Sequence, residues 1–117
     1  MNLEFVIGHL LIGSLMLLIS YIFAKYPPKK INDLYGYRTK RSMRNQDCWD
    51  FANRHSIRLM WKTSLLTCIF QAIGVILLDE GIALLTATIV LVTTLIYSVY
   101  LTEIELKKTF DKEGNRL

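Results

Sequence analysis

The residue types best suited to binding a ligand lie in one polar segment, residues 27–54, between long apolar stretches. Its centre, residues 35–42, reads YGYRTKRS, which combines guanidinium groups, hydroxyls and a glycine that permits a turn. The candidate binding residues are Tyr35, Gly36, Tyr37, Arg38, Thr39, Ser42, Asn45, Trp49 and Asn53. Arginines and hydroxyls beside a helix N-terminus suit an anion such as a phospholipid head group. The alternative is structural: the same side chains hold the loop in one shape by hydrogen bonds.

A second candidate site consists of His9 and Gln71, two polar residues inside apolar stretches. Polar side chains in such places often mark an ion or substrate path, and histidine changes charge near physiological pH. The alternatives are that His9 is a packed or interfacial residue and that Gln71 holds helices together. Ser64, Thr67 and Gly74 share a helical face with Gln71 by three- and four-residue steps, which favours that second alternative.

The composition disfavours other chemistry. Cys48 and Cys68 lack metal-ligand spacing and are expected to be free thiols. No carboxylate lies in the middle of an apolar stretch, and no nucleophile stands beside a base. We therefore expect no catalytic residue, no metal, no cofactor and no enzyme activity. The net charge of +4 does not indicate nucleic acid binding, because the basic residues cluster beside the apolar stretches.

These residues must be positioned by three apolar blocks, since hydrophobic residues make up 52% of the chain and are concentrated there. Each block has about 20 residues, the length that crosses a hydrocarbon core about 30 Å thick. The predicted spans are residues 3–24, 57–78 and 82–101. A water-soluble protein of 117 residues would have too little polar sequence to cover three such helices. The predicted fold is an all-α integral membrane protein in which residues 1–117 form a single domain with three transmembrane helices.

The segments outside the spans also carry local signals. Pro27 and Pro28 end the first helix, because proline lacks the amide donor. Ser42 or Asn45 can cap an amphipathic helix near the membrane surface. That helix leads into the second span, either straight through or with a bend near residues 55–56. Residues 102–117 are predicted to be a short helical extension that frays, with Gly114 beyond its end.

Charge predicts the orientation in the membrane. Eight of the 14 Lys and Arg residues lie within residues 25–54, whereas the connection at Asp79 and Glu80 and the N-terminal flank have none. Cytoplasmic loops carry the excess of Lys and Arg. The loop 25–56 and the tail 102–117 are therefore predicted to be cytoplasmic, and the N-terminus to lie outside.

Residues 35–54, YGYRTKRSMRNQDCWDFANR, resemble the signature of the SdpI family, bacterial membrane proteins named for the immunity protein against the SdpC-derived killing peptide. The matching residues are Tyr35, Gly36, Tyr37, Arg38, Thr39, Ser42, Asn45, Trp49, Ala52 and Asn53. Pro27, Pro28 and Asn32 are also similar to the family, and the layout of three spans extends the resemblance to nearly the whole chain.

The resemblance implies a protein of the bacterial inner membrane that gives immunity or resistance to a membrane-active toxin peptide. It also implies signalling by recruitment of a cytoplasmic transcriptional repressor. The chain is similar to a short form with only the SdpI-like domain. The resemblance thus adds a toxin peptide and that repressor as expected partners, beside the lipid bilayer and without nucleic acid. Because a three-helix bundle buries modest area, a second copy in a homodimer is a further candidate partner. The alternatives are a membrane enzyme or transporter acting on a lipid or small anion, and a module that docks a cytoplasmic partner.

Overall fold

In the computed structural model, which describes residues 2–117, the first apolar stretch forms one rod in three parts. Helix α1 (Leu3–His9) passes through a π-helical turn (Leu10–Ser14) into α2 (Leu15–Lys25). Pi-helical turns inside α-helices are rare and frequently occur at functional sites. Helix α2 ends at Lys25, with Tyr26 as its C-cap, just before the proline pair that was predicted to end it, because a proline cannot donate the next helical hydrogen bond.

The remaining helices are α3 (Gln46–Leu77) and α4 (Glu80–Thr109). The predicted amphipathic helix and second span form one continuous α3 of 32 residues. At 1.5 Å per residue it is about 48 Å long, which exceeds the hydrocarbon core of about 30 Å. The rod of α1 and α2, together with α3 and α4, provides three helices long and apolar enough to cross a membrane. This confirms the predicted fold class.

Within the spans, the interior of the bundle is built from small and polar residues, whereas many large apolar side chains face outward. The large apolar side chains that are buried, Trp49, Leu106 and Phe110, lie at the loop end of the bundle. Ile76 and Leu85 are 80% and 61% exposed. The buried polar residues are Ser20, Ser42, Asn53, Thr63, Ser64, Thr67, Gln71 and Thr102. Lipid tails are as apolar as leucine, so helices in a bilayer associate through close packing of small residues and hydrogen bonds instead of hydrophobic burial. The observed distribution is therefore the one a membrane protein needs.

Helix α3 packs along both of its neighbours. The hydroxyl oxygens of Ser20 on α2 and Ser64 on α3 are 2.9 Å apart. At the far end from the loop, Gly74 on α3 lies against Ala83 on α4, where an added Cβ would stand 3.3 Å from the alanine Cβ. The two small residues allow the backbones to approach closely, as is typical of helix pairs in membranes.

The expectation that the tail frays is wrong. Helix α4 continues to Thr109, and the residues after it fold back as a hairpin in which Phe110 and Arg116 form a β-bridge. Gly114 makes the turn with a φ of +85°, a conformation that favours glycine. The hairpin exists because it has a partner that the local sequence does not reveal, the N-terminus of α3.

Several hydrogen bonds attach this hairpin to the N-terminal end of α3. The carbonyl of Gly114 accepts a hydrogen bond of 2.7 Å from the side-chain amide of Asn45. Arg116 donates two hydrogen bonds of 2.8 Å to the carboxylate of Asp47. Beneath the hairpin, Cys48 is only 1% exposed. The tail therefore covers the end of α3 and shields one of the two thiols.

We expect Gly114→Ala to loosen this hairpin and expose Cys48. An alanine at this φ costs about 1–3 kcal/mol, and its Cβ would stand 2.5 Å from the Asn45 amide nitrogen. In a Cys68→Ser background, maleimide should label Cys48 faster in the Gly114→Ala variant than in its parent. Gly81→Ala is the matched control, because its added Cβ meets no atom closer than 3.6 Å. Equal labelling rates in all three proteins would contradict the tail's protective role.

Candidate functional site

Asn53 joins the polar loop to α3 through both ends of its side-chain amide. Its Oδ1 accepts a hydrogen bond of 2.7 Å from the backbone N–H of Tyr37. Its Nδ2 donates to the carbonyl of Trp49, one turn earlier on α3, at 3.0 Å, and to the carbonyl of Tyr37 at 3.4 Å. Asn53 is 4% exposed. A buried amide that serves three backbone groups fixes the loop at this height on the helix.

Trp49 makes a second connection to the loop. The residue has no exposed surface, and its indole Nε1 donates a hydrogen bond of 2.8 Å to the carbonyl of Pro28. Because Pro28 lies three residues after the end of α2, this bond ties the exit of the first span to α3. A buried tryptophan needs a partner for its N–H, and here the start of the loop supplies it.

Gly36 is a point where the loop approaches α3 closely. Its φ is +110°, in the region that favours glycine. An added Cβ would stand 2.6 Å from Cγ of Pro28 and 2.7 Å from Oδ1 of Asn53. Any other residue would therefore push the loop away from both the proline and the asparagine.

Thr39 and Ser42 close the turn that follows. The N–H of Thr39 donates to Oγ of Ser42 at 2.8 Å, and the N–H of Ser42 donates to Oγ1 of Thr39 at 3.2 Å. The fully buried Ser42 hydroxyl also lies 3.1 Å from the carbonyl of Tyr37. These reciprocal bonds satisfy backbone groups that would otherwise lack partners in a short irregular segment.

The phenol of Tyr37 reaches α4. Its hydroxyl donates to Oε1 of Glu103 at 2.7 Å, and Nε of Arg41 lies 3.5 Å from the other oxygen of that carboxylate. Burial, and then the hydrogen bond with Glu103, raise the pKa of Tyr37 well above its ordinary value. Sequence reasoning missed Glu103. The signal was a carboxylate just beyond the third predicted span, on the same side of the membrane as the basic loop.

Two of the candidate residues face away from this centre. The hydroxyl of Tyr35 donates to the carbonyl of Tyr26, and its ring packs edge-on against Phe23 with centroids 4.8 Å apart. Arg38 is exposed and donates through Nη1 to the carbonyl of Asp33. Of the predicted binding residues, Arg38 therefore presents charge to the surroundings, whereas the others are occupied in holding the loop together.

The N-terminus of α3, which the anion hypothesis used, already has partners. Asn45 caps the helix, its Oδ1 accepting from the N–H of Cys48 at 2.8 Å. Asp47 in the first turn is paired with Arg116. A carboxylate at this position complements the positive end of the helix dipole. The chain itself thus supplies the negative charge that a helix N-terminus attracts.

The second candidate site, His9 and Gln71, is brought together across the membrane-spanning helices. The amide Nε2 of Gln71 lies 2.9 Å from Nδ1 of His9 and 3.0 Å from its carbonyl oxygen. Because the amide nitrogen of Gln71 can only donate, Nδ1 accepts this bond, and the proton of a neutral ring then lies on Nε2. Nε2 is buried and has no hydrogen-bond partner within residues 2–117. Gly13 in the π-helical turn makes room, because an added Cβ would overlap the Gln71 amide.

The structure thus assembles the predicted residues into two separate groups, one at the loop end of the bundle and one within the spans. Within residues 2–117, no group of three or more His, Cys, Asp or Glu side chains could hold a metal ion. Cys48 and Cys68 are both free thiols. The loop group is a closed network of hydrogen bonds, and the His9–Gln71 pair has one donor left over.

Comparison with known proteins places these features in a family context. Residues 29–101 match the model of the SdpI/YfhL protein family. The YfhL protein of Bacillus subtilis strain 168, described as uncharacterized, is 37% identical over 105 residues. The similarity covers 89% of this chain and 91% of YfhL. No solved structure matches. The family match begins at Lys29 and includes the whole hydrogen-bonded loop.

The raised pKa of Tyr37 predicts that the protein loses stability at alkaline pH. Its pKa is raised by folding, so its stabilising contribution is complete below the ordinary value of 10.0 and is lost as the pH rises through the folded value. Tyr37→Phe lacks the bond to Glu103 at every pH. We therefore expect the variant to be less stable than the natural protein below pH 10, with the difference in Tm shrinking above it. Thermal unfolding in detergent across this range measures it. Tyr97→Phe is the control, because Tyr97 is 58% exposed. A difference that stays constant with pH would contradict the assignment.

Proposed function

This chain belongs to the SdpI/YfhL protein family, and on that premise we propose that it protects a bacterial membrane against a membrane-active toxin peptide. The protein acts without catalysis, by binding the peptide within the bilayer. The loop and the tail face the cytoplasm, and the N-terminus lies outside. The signalling part of the proposal is recruitment of a cytoplasmic regulator by the loop side of the molecule.

The observation that carries the proposal is that the polar loop between α2 and α3 bonds to the chain itself. Its polar groups are used in bonds to α3 and α4: Asn53 holds Tyr37, Trp49 holds Pro28, and Tyr37 holds Glu103. An enzyme needs a nucleophile, base or electrophilic group that faces a substrate. A loop whose side chains bond inward supports a scaffold that presents surfaces for binding.

The apolar exterior supports an encounter within the bilayer. Outward-facing residues of α3 and α4, such as Ile73, Leu85, Ile89 and Ile96, are each at least half exposed. A toxin peptide that acts on membranes carries an apolar face of its own, and helices in lipid associate by packing such surfaces together. Protection by direct association thus needs no further cofactor.

The charged surface on the loop side supports the orientation and the signalling part. The exposed cations of residues 25–54 are Lys25, Lys29, Lys30, Arg38, Lys40 and Arg54. Cytoplasmic loops carry such an excess. An acidic surface on a regulator would be attracted to these cations whether or not the toxin is bound. Signalling therefore requires that toxin binding change the exposure of the loop.

A second candidate function, transport of a small anion or modification of a lipid, is favoured by one observation. The buried Nε2–H of His9 has no partner within residues 2–117, and a donor without a partner inside a membrane protein is expensive. This function requires an oligomer, because a bundle of three helices makes a thin wall for a path.

The test is survival of a strain sensitive to the SdpC-derived peptide, with and without this protein in its membrane. We expect protection. Arg38→Ala should reduce it, because Arg38 is an exposed cation of the loop, whereas Lys112→Ala should leave it unaffected, because Lys112 is an exposed cation of the tail that lies outside the loop and the apolar surface. Trp49→Ala should abolish protection, because such a change typically costs about 3–5 kcal/mol of stability. Unchanged survival despite normal membrane levels would reject immunity to this peptide.

The same assay separates the second function from the first. Gln71→Leu removes the amide that holds His9 but keeps an apolar side chain of similar length. Immunity by surface binding predicts that this variant still protects. Loss of protection in Gln71→Leu, with Arg38→Ala fully active, would favour the His9–Gln71 site as the working part of the protein.

A further inference from the structure

A groove of about 300 Å³ lies between α2 and α3 on the outside of the bundle. Its lining combines two aromatic rings, two apolar side chains and two cations, namely Tyr21, Ala24, Ile57, Arg58, Trp61 and Lys62. Tyr21 is 51% exposed and Trp61 is 37% exposed. Both helices belong to candidate membrane spans, so the surface that these side chains expose faces the bilayer.

The depth of the groove in the membrane follows from the length of α3. Arg58 lies about 28 Å from Leu77, the last residue of that helix, at 1.5 Å per residue. Because the hydrocarbon core is about 30 Å thick, Arg58 lies where hydrocarbon meets the head groups on the loop side. Lys62 is one turn deeper, and its long stem can carry the ammonium to the same level. Tryptophan and tyrosine are enriched at this boundary, as are Trp61 and Tyr21 here.

The two cations of the groove lack an anionic partner in the chain. Within residues 2–117 neither Arg58 nor Lys62 has a carboxylate at salt-bridge distance. The positions three and four residues from Arg58 along α3 hold Arg54, His55, Trp61 and Lys62, so the helix itself offers no carboxylate there. Like charges one helical turn apart repel each other. A phosphate between them would accept hydrogen bonds from the guanidinium and the ammonium and remove that repulsion.

The remainder of the lining selects a lipid over a small anion. Ala24, Ile57 and the two rings give the groove a mostly apolar surface, which a free phosphate ion would leave uncovered. A phospholipid carries a phosphate and an acyl chain in one molecule, and anionic lipids are attracted to cations at the bilayer surface. A zwitterionic lipid would bring a positive charge of its own beside Arg58 and Lys62.

We propose that this groove binds one anionic phospholipid from the leaflet on the loop side. Arg58 and Lys62 hold its phosphate, and the rings of Tyr21 and Trp61 lie along the upper part of its acyl chain. The lipid thereby bridges α2 and α3. This site lies apart from the surface proposed for the toxin peptide, and its occupancy does not depend on a role in immunity.

Trp61 is a reporter within the groove itself. The chain contains two tryptophans, and Trp49 has no exposed surface, so quenchers carried by lipid reach Trp61. The whole protein is reconstituted in phosphatidylcholine bilayers in which a small fixed fraction of the lipid has brominated chains. Bromine quenches tryptophan only at short range, so the quenching measures which lipid occupies the groove.

We expect brominated phosphatidylglycerol to occupy the groove about fivefold more than the same fraction of brominated phosphatidylcholine, the gain expected from one cation at a membrane surface. Unlabelled phosphatidylglycerol should reverse the excess quenching. Inorganic phosphate at the same concentration should not, because it has no acyl chain. Equal quenching by the two brominated lipids would overturn the proposal, and displacement by inorganic phosphate would overturn a phospholipid as the occupant.

Charge variants test the two proposed phosphate ligands. Arg58→Gln with Lys62→Gln should remove the excess quenching by phosphatidylglycerol. Lys29→Gln with Lys30→Gln removes the same charge from the loop and should preserve the excess, because neither residue is part of the groove lining. An excess that survives in the folded Arg58→Gln, Lys62→Gln protein would refute these two residues as the phosphate ligands.

A second pair of variants locates the acyl chain. Ala24→Phe should fill the groove and remove the excess quenching. Ile22→Phe adds a ring at an exposed position of α2 outside the groove lining and should retain the excess. In Trp61→Phe the excess should vanish with its reporter. An excess that persists there would come from Trp49 and place the lipid elsewhere, which would contradict the groove as the binding site.

Discussion

The side-chain amide of Asn53 is the interaction on which the loop end of the molecule depends. This almost fully buried amide accepts a hydrogen bond of 2.7 Å from the N–H of Tyr37 and donates one of 3.0 Å to the carbonyl of Trp49. Leaving one such buried group unpaired costs about 1–3 kcal/mol. The position of Tyr37 in turn brings its phenol to Glu103 on α4. One amide thus helps to link the loop to both long helices.

The bilayer explains why the interior is built from polar and small residues. Hydrocarbon offers no hydrogen bonds, so each polar group within the spans must find a partner in the chain. Thr67 bonds back to Thr63 of its own helix, and Ser64 meets Ser20 of the first span. Nε2 of His9 is the exception: within residues 2–117 it is the one buried side-chain nitrogen or oxygen atom without a hydrogen-bond partner.

Local patterns were sufficient to predict the helices and some of the contacts. The lengths of the apolar blocks indicated the spans, the proline pair marked the end of α2, and Asn45 was one of two predicted caps. His9 and Gln71 were singled out as polar residues inside spans, and they meet. Such features depend on periodicity or on neighbouring residues, which a single sequence displays.

Long-range contacts escaped that reasoning. Nothing near Arg116 indicates that it pairs with Asp47, 69 positions away, so the tail was expected to fray. The inward direction of the signature side chains depends on Asn53, 16 positions after Tyr37. The π-helical turn also lacks a local signal, because Gly13 gives room for Gln71 only once the two helices are packed.

Hydrogen exchange at the backbone amide of Tyr37 tests the central claim most directly. If Asn53 holds the loop on α3, this amide exchanges slowly in the natural protein and in the exposed-site control Asn115→Ala. In Asn53→Ala it should exchange as fast as the amide of Lys40 on the open side of the turn. Rapid exchange at Tyr37 in the natural protein would contradict the account, because the loop would then be free of the helix.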